Sequence, residues 1–131
     1  MAINTNKTKE LVICFSKKVN ITDNPRLCIN GTEIDIVTTF KLLGVIISSD
    51  LSWDWHVAYT LHKVAKRMYC INYLVRSGVP THDILCAYCS VIRYVLEYAC
   101  AIWHPGLTKK LSQDIERAQK HCLKLLYPAV V

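Results

Sequence analysis

The chain has 131 residues, which is one domain's worth of protein and enough to bury a hydrophobic core. Hydrophobic residues make up 52% of it, as expected for a small core-rich domain or for a piece of a larger enzyme with an uncovered surface. The net charge of +6 excludes an acidic chain. Residues 51–131 hold ten Lys and Arg against five Asp and Glu, which fits a polyanionic partner and equally an ordinary basic surface kept soluble by its charge.

The start of the chain and its cysteines predict an intracellular protein, nuclear or cytoplasmic. Residues 1–9 are polar and no apolar h-region follows them, so no secretory signal is expected. The seven cysteines are therefore expected to be reduced. The apolar run 84–103 contains Arg93 and Glu97, and a charge at a bilayer centre costs about 2.5–3.5 kcal/mol. This run predicts a buried core helix in which the two charges pair, and no membrane partner.

The first third of the chain predicts a small antiparallel β-sheet. A compact β-rich run covers residues 10–16, and a hairpin covers residues 27–37. Its turn is Asn30-Gly31, a pair that suits the positive φ angles of a type I′ turn. Residues 41–48 supply the last strand, in which Gly44 indicates a bend or a close approach to other backbone.

The rest of the chain predicts three antiparallel helices. The first runs from a cap at Asp50 or Ser52 to about Ser77 and is stopped by Gly78. The second is capped by Thr81 and ends near Trp103. The third runs from about 108 to Pro128. The predicted fold class is therefore α+β, a small antiparallel β-sheet in residues 1–50 followed by a three-helix bundle in residues 51–131.

Three basic residues on the first predicted helix are candidates for phosphate binding. Lys63, Lys66 and Arg67 lie three and four residues apart and away from the apolar stripe of that helix. A basic helix face of this kind can neutralise phosphates and release counterions. The alternative is a solvated face without a ligand.

The sequence offers little chemistry for metal binding or catalysis. Cys86 and Cys89 have the spacing of a zinc pair, but they lie in the middle of a predicted helix and no second pair completes four ligands. No nucleophile motif or phosphate loop is present, and no Asp-Asp dipeptide occurs. Two-metal nucleotidyl transfer needs clustered carboxylates, so the chain alone is expected to be inactive and to need no cofactor.

Several segments, in order and across nearly the whole chain, resemble the C-terminal part of reverse transcriptases from non-LTR retrotransposons of the jockey-like kind. The matching segments are residues 6–13 (NKTKELVI), 40–45 (FKLLGV), 50–53 (DLSW), 92–99 (IRYVLEYA), 103–107 (WHPGL) and 115–120 (IERAQK). The resemblance implies that residues 1–50 are the end of the palm and that residues 51–131 are the helical thumb. The primer grip is then Leu43, Gly44 and Val45.

The resemblance also implies what the chain binds. Lys41, Lys63, Lys66 and Arg67 become the candidates for contacting an RNA–DNA or DNA duplex. The metal-binding aspartates of the family are expected upstream of residue 1, in a palm and fingers part that would be a partner of this piece. The family is an RNA-directed DNA polymerase, and a piece without those aspartates is expected at most to hold the template–primer duplex.

Two other functions stay open at this point. One is a free-standing nucleic-acid-binding helical module, and the other is a protein-interaction module without catalysis. Residues 41–77 also resemble a short segment at the N-terminus of an alkylation-repair dioxygenase homologue. The iron-binding His-x-Asp and His set of such an oxygenase is absent from the sequence.

Overall fold

The computed structural model describes residues 3–15 and 25–128 of a mixed α and β protein, so Ser16 at the end of the first predicted strand lies outside them. The chain divides into two compact units, Met1–Trp55 and His56–Val131. The first unit holds short strands and the second holds helices. In chain order the strands are β1 (Lys9–Glu10), β2 (Cys28–Ile29), β3 (Thr32–Glu33), β4 (Asp35–Ile36), β5 (Thr39–Leu42) and β6 (Val45–Ser48).

The single antiparallel sheet predicted for the first unit is wrong. Among the described residues the strands form three separate pairs, β1 with β4, β2 with β3 and β5 with β6. The β1–β4 pair is parallel, and Lys9 lies opposite Asp35 and forms an ion pair with it. Of the described part of the predicted strand 10–16, only Glu10 lies in a strand, β1, and the apolar side chains after it are half-buried or exposed, with Phe15 88% exposed.

The predicted Asn30-Gly31 turn is confirmed. Asn30 has a φ of 53° and Gly31 a φ of 76°, the two positive values that a type I′ turn requires. The turn joins β2 and β3, in which Ile29 pairs with Thr32. Ile34 follows β3 and is only 3% exposed, so the residue that leaves this hairpin is buried.

The predicted last strand 41–48 is divided by a second tight turn, and the turn lies at Gly44, where the sequence indicated a bend. Leu43 has a φ of 47° and Gly44 a φ of 86°, and Leu42 pairs with Val45 across the turn. Glycine at the second turn position adopts a positive φ without steric cost, which lets the chain reverse inside an apolar run. The reversal leaves Leu43 84% exposed and Val45 buried.

The second unit is built from helices. The first, α1 (Asp54–Arg76), begins two residues before the division between the two units. It is followed by α2 (Thr81–Ala87), a π-helical segment (Tyr88–Arg93), α3 (Tyr94–Glu97), α4 (Cys100–Trp103) and α5 (Lys109–Leu126). The buried side chains of α1 include Val64, Met68 and Ile71 of the predicted apolar stripe. Packed with them are Ile84, Tyr88, Ile92 and Leu96, and Cys122 and Leu126 of α5.

Local sequence signals set the end of α1 and the start of α5 as predicted, whereas the predicted cap of α1 at Asp50 or Ser52 is wrong, because the helix begins at Asp54. Gly78 follows α1 with a φ of 72°, and its N–H donates to the Val75 carbonyl while Val79 N–H donates to the Leu74 carbonyl. These two bonds form a Schellman motif, which satisfies carbonyls that the helix end leaves open. At α5 the Thr108 side chain accepts a hydrogen bond from the N–H of Leu111, as an N-cap should.

The second predicted helix is not continuous. It passes through the π-helical segment and breaks at Ala99, whose φ is 52°. The Trp103 side chain stabilises the chain at this break, because its Nε1 donates a 2.8 Å hydrogen bond to the Tyr98 carbonyl. The predicted cap at Thr81 is also wrong, since Pro80 holds the N-cap position without a side-chain cap bond. The predicted Arg93–Glu97 pair is confirmed at 2.7 Å.

The stretch Thr81–Gly106 is the part of the described chain that is long and apolar enough to cross a membrane. Its mean hydropathy is 1.4 and 22% of the most apolar window is buried. Length and composition alone are weak evidence, because the core helix of a soluble protein passes the same test. Because of the break at Ala99, the uninterrupted helical part runs from Thr81 to Glu97 and is about 25 Å long at 1.5 Å per residue.

Candidate nucleic-acid interface

Two of the predicted phosphate ligands lie on the accessible side of α1. Lys66 is exposed. Lys63 is half-buried, and its Nζ lies over the ring of Tyr59, 4.3 Å from the ring centre. A cation held over an aromatic face keeps its charge and loses conformational freedom, so less entropy remains to be lost on binding an anion.

Arg67 points toward the interior of the helical unit. Its guanidinium Nη1 donates a 2.7 Å hydrogen bond to the carbonyl of Val91, in the π-helical segment. The bond is partly buried and links residues 24 positions apart. Arg67 therefore joins α1 to the second helical stretch, a role that the pattern of basic residues did not predict.

The charge on α1 has one sign except at its start. Asp54 is the only acidic residue of the helix, and it stands in the first turn, where a carboxylate complements the helix dipole. The four Lys and Arg of α1 all follow from position 63 onward. This distribution produces a positive potential along the last half of the helix and favours a polyanion.

The remaining predicted site residues belong to the first unit. Lys41 is exposed and stands on β5, opposite Ile46 of β6. Leu43 and Gly44 form the turn of this hairpin and Val45 starts β6. The hairpin thus brings the predicted primer-grip residues together with Lys41, whereas Lys63, Lys66 and Arg67 are grouped in the second unit.

The sequence reasoning missed a pair of accessible aromatic residues on α1. Tyr69 is 74% exposed and Tyr73 is 64% exposed. With Asn72 and Arg76 they line a groove of about 350 Å³. The available signal was their spacing, because Lys66, Tyr69, Tyr73 and Arg76 continue the stripe of Tyr59 and His62 at intervals of three and four.

The cysteines do not form a metal site in the part of the chain that the structure describes. Cys86 and Cys89 are exposed, and no group of three His, Cys, Asp or Glu side chains is close enough there to hold an ion. Cys122 is fully buried, its Sγ donates to Met68 Sδ at 2.8 Å, and burial raises the pKa of its thiol to about 11. Its thiol therefore stays protonated near neutral pH and serves as a core side chain.

His56 is a buried titratable group at the start of the second unit. It is 3% exposed and its ring centre lies 5.5 Å from that of Trp103. Burial lowers the pKa of His56 below its ordinary value, and the positive charge of Lys63 lowers it further. At a given pH His56 is therefore less protonated in the folded protein than in the unfolded chain, where a histidine has a pKa of about 6.5.

We expect the free energy of unfolding to fall as the pH drops from about 7 to about 5, because the unfolded chain then binds more protons than the folded one. One histidine contributes a slope of at most about 1.4 kcal/mol per pH unit. Urea unfolding at the two pH values checks this, and His56→Gln should lose that part of the slope. The exposed His62 provides the control, since His62→Gln should keep it. An unchanged slope in His56→Gln contradicts the assignment.

Comparison with known proteins adds no relative: no family model, no curated protein and no solved structure matches the chain.

Proposed function

We propose that the chain binds the backbone of an RNA–DNA or DNA duplex through α1 and catalyses no reaction itself. The observation that carries the proposal is the arrangement of Lys63 and Lys66 on the accessible side of a 23-residue helix whose only acid is Asp54. A rigid face whose charges are all positive fits a regular row of phosphates. Duplex holding is also the role that the resemblance to non-LTR reverse transcriptases assigns to the thumb.

The β5–β6 hairpin supports the same proposal. Its turn presents an exposed Leu43 beside Gly44, whose missing side chain leaves less bulk between the backbone and a ligand. Lys41 lies on the same hairpin and is exposed. A primer grip needs these properties, namely accessible backbone next to a cation that contacts a phosphate.

The absence of catalysis follows from the sequence. Transfer of a nucleotide through two metal ions needs carboxylates clustered around those ions. The chain has no adjacent pair of aspartates, and Asp50 and Asp54 stand four residues apart at a helix start. We therefore propose binding alone, and a polymerase activity of the purified full chain would contradict this.

The test is the salt dependence of binding to a short, blunt RNA–DNA duplex, measured by fluorescence anisotropy at about 50 mM and about 200 mM salt. For Lys63→Ala/Lys66→Ala the slope of log affinity against log salt should fall by about two, about one for each phosphate contact removed. Removal of the same charge from the start of α5, in Lys109→Ala/Lys110→Ala, should leave the slope nearly unchanged. Equal slopes for the two double variants would overturn the proposal.

A further inference from the structure

The accessible side of α1 in the second unit carries a continuous polar and aromatic stripe. Its members follow one another at intervals of three and four residues, which places them on one side of a helix: Tyr59, His62, Lys66, Tyr69, Tyr73 and Arg76. The buried residues of the same helix, among them Val64 and Ile71, occupy the opposite side. The stripe contains two cations, no acid and no aliphatic side chain.

Tyr69 and Tyr73 stand four residues apart on the accessible side of α1, which places them about one helical turn, about 6 Å, apart along the helix axis. Both rings are more than half exposed, so each offers a flat face on which an unpaired base can stack. Aromatic rings bind unpaired bases in this way without regard to sequence, because every base has a π-face.

The other residues of the groove supply polar contacts for the rest of a nucleotide. Asn72 carries an amide that can both donate and accept hydrogen bonds at a base edge. Arg76 is exposed and has the planar guanidinium that pairs with phosphate through two hydrogen bonds. The Asp114 carboxylate lines the adjoining groove between α1 and α5 with Asn72, and its charge is paired with Arg117 at 2.9 Å.

We propose that Tyr69 and Tyr73 hold an unpaired nucleotide of a single-stranded extension, with Arg76 on its phosphate. The ligand class is single-stranded RNA or DNA, because a face of aromatic rings and cations without aliphatic side chains complements bases and phosphates. The two cations of the stripe, with no acid among its members, favour this anionic ligand over a protein surface. The inference rests on the proposed duplex binding, since Lys63 and Lys66 lie on the preceding turns of the same helix and hold the paired part.

The experiment compares a short blunt RNA–DNA duplex with the same duplex carrying a single-stranded extension of a few nucleotides. With the full wild-type chain, anisotropy should show about tenfold tighter binding of the extended duplex, the effect expected of one stacked base. Tyr69→Ala/Tyr73→Ala should abolish this gain and leave the affinity for the blunt duplex unchanged. Tyr69→Phe/Tyr73→Phe should keep the gain, because phenylalanine retains the stacking face.

A second tyrosine pair provides the matched control. Tyr94 and Tyr98 are also four residues apart and exposed, at 63% and 42%, and their ring centres lie 6.2 Å from each other. Tyr94→Ala/Tyr98→Ala should keep the full gain. Circular dichroism of each variant checks that it is folded.

The outcomes separate this inference from the proposed function. If the extension adds nothing to wild-type affinity while Lys63→Ala/Lys66→Ala still lowers the salt slope, the tyrosine site is overturned and duplex binding stands. A gain that persists in Tyr69→Ala/Tyr73→Ala also overturns the site. Self-association of the wild type that these two substitutions abolish, with no gain from the extension, assigns the face to a second copy of the chain instead.

Discussion

Ile92→Ala should lower the free energy of unfolding by about 3–4 kcal/mol, the range of an isoleucine truncated inside a well-packed core. Ile92 is 0% exposed and lies in the π-helical segment, packed in the cluster that includes Val64, Ile71 and Cys122. The substitution removes buried apolar atoms and leaves a cavity in the core, into which the surrounding side chains relax only in part. A domain of this size has a total stability of about 5–15 kcal/mol, so the loss is a large part of it.

Urea unfolding monitored by circular dichroism measures this change. The matched control is Ile102→Ala in α4, because Ile102 is 61% exposed and its truncation should cost less than about 0.5 kcal/mol. Ile92→Val, which removes one methyl group, should cost about 1 kcal/mol. Equal stabilities for Ile92→Ala and Ile102→Ala would contradict the position of Ile92 in the core.

Arg67→Met should lower the free energy of unfolding by about 2 kcal/mol, because it removes a hydrogen bond from a charged donor to a partly buried carbonyl. The methionine keeps most of the apolar stem of the side chain, so the change reports the bond between Arg67 and Val91 rather than lost packing. Arg67→Lys should recover part of the loss, since lysine keeps the charge but not the planar geometry. The measurement is again unfolding in urea.

The control for Arg67 is its neighbour on the helix. Lys66 is exposed, and Lys66→Met should change stability by less than about 0.5 kcal/mol while it weakens duplex binding. The two positions thus separate a structural from a binding contribution within one basic cluster. If Arg67→Met is as stable as the wild type and loses as much affinity as Lys66→Met, Arg67 is a phosphate ligand and not a link between helices.

The candidate interface was predictable only in part. The lysines could be placed on one face because helical periodicity is a local property, and the structure leaves Lys66 accessible on that face. The direction taken by Arg67 could not be predicted, since it depends on a carbonyl 24 residues further along the chain. The exposure of Tyr69 and Tyr73 was likewise undecided, because an aromatic residue at helical spacing packs in a core as readily as it faces water.

What the sequence determined by itself is the set of features fixed by a few neighbouring residues. Asn30-Gly31 specifies its turn, Gly78 ends α1 and Thr108 starts α5, because each acts on its own backbone angles or on N–H groups within one turn. The apolar stripe of α1 belongs to the same class.

Only the tertiary structure decided the features that no local pattern specifies. It placed β1 beside β4 in parallel. It also gave Leu43 and Ala99 a left-handed φ, which a residue with a Cβ disfavours locally; the β5–β6 pairing stabilises the first of these conformations and the hydrogen bond from Trp103 to Tyr98 the second.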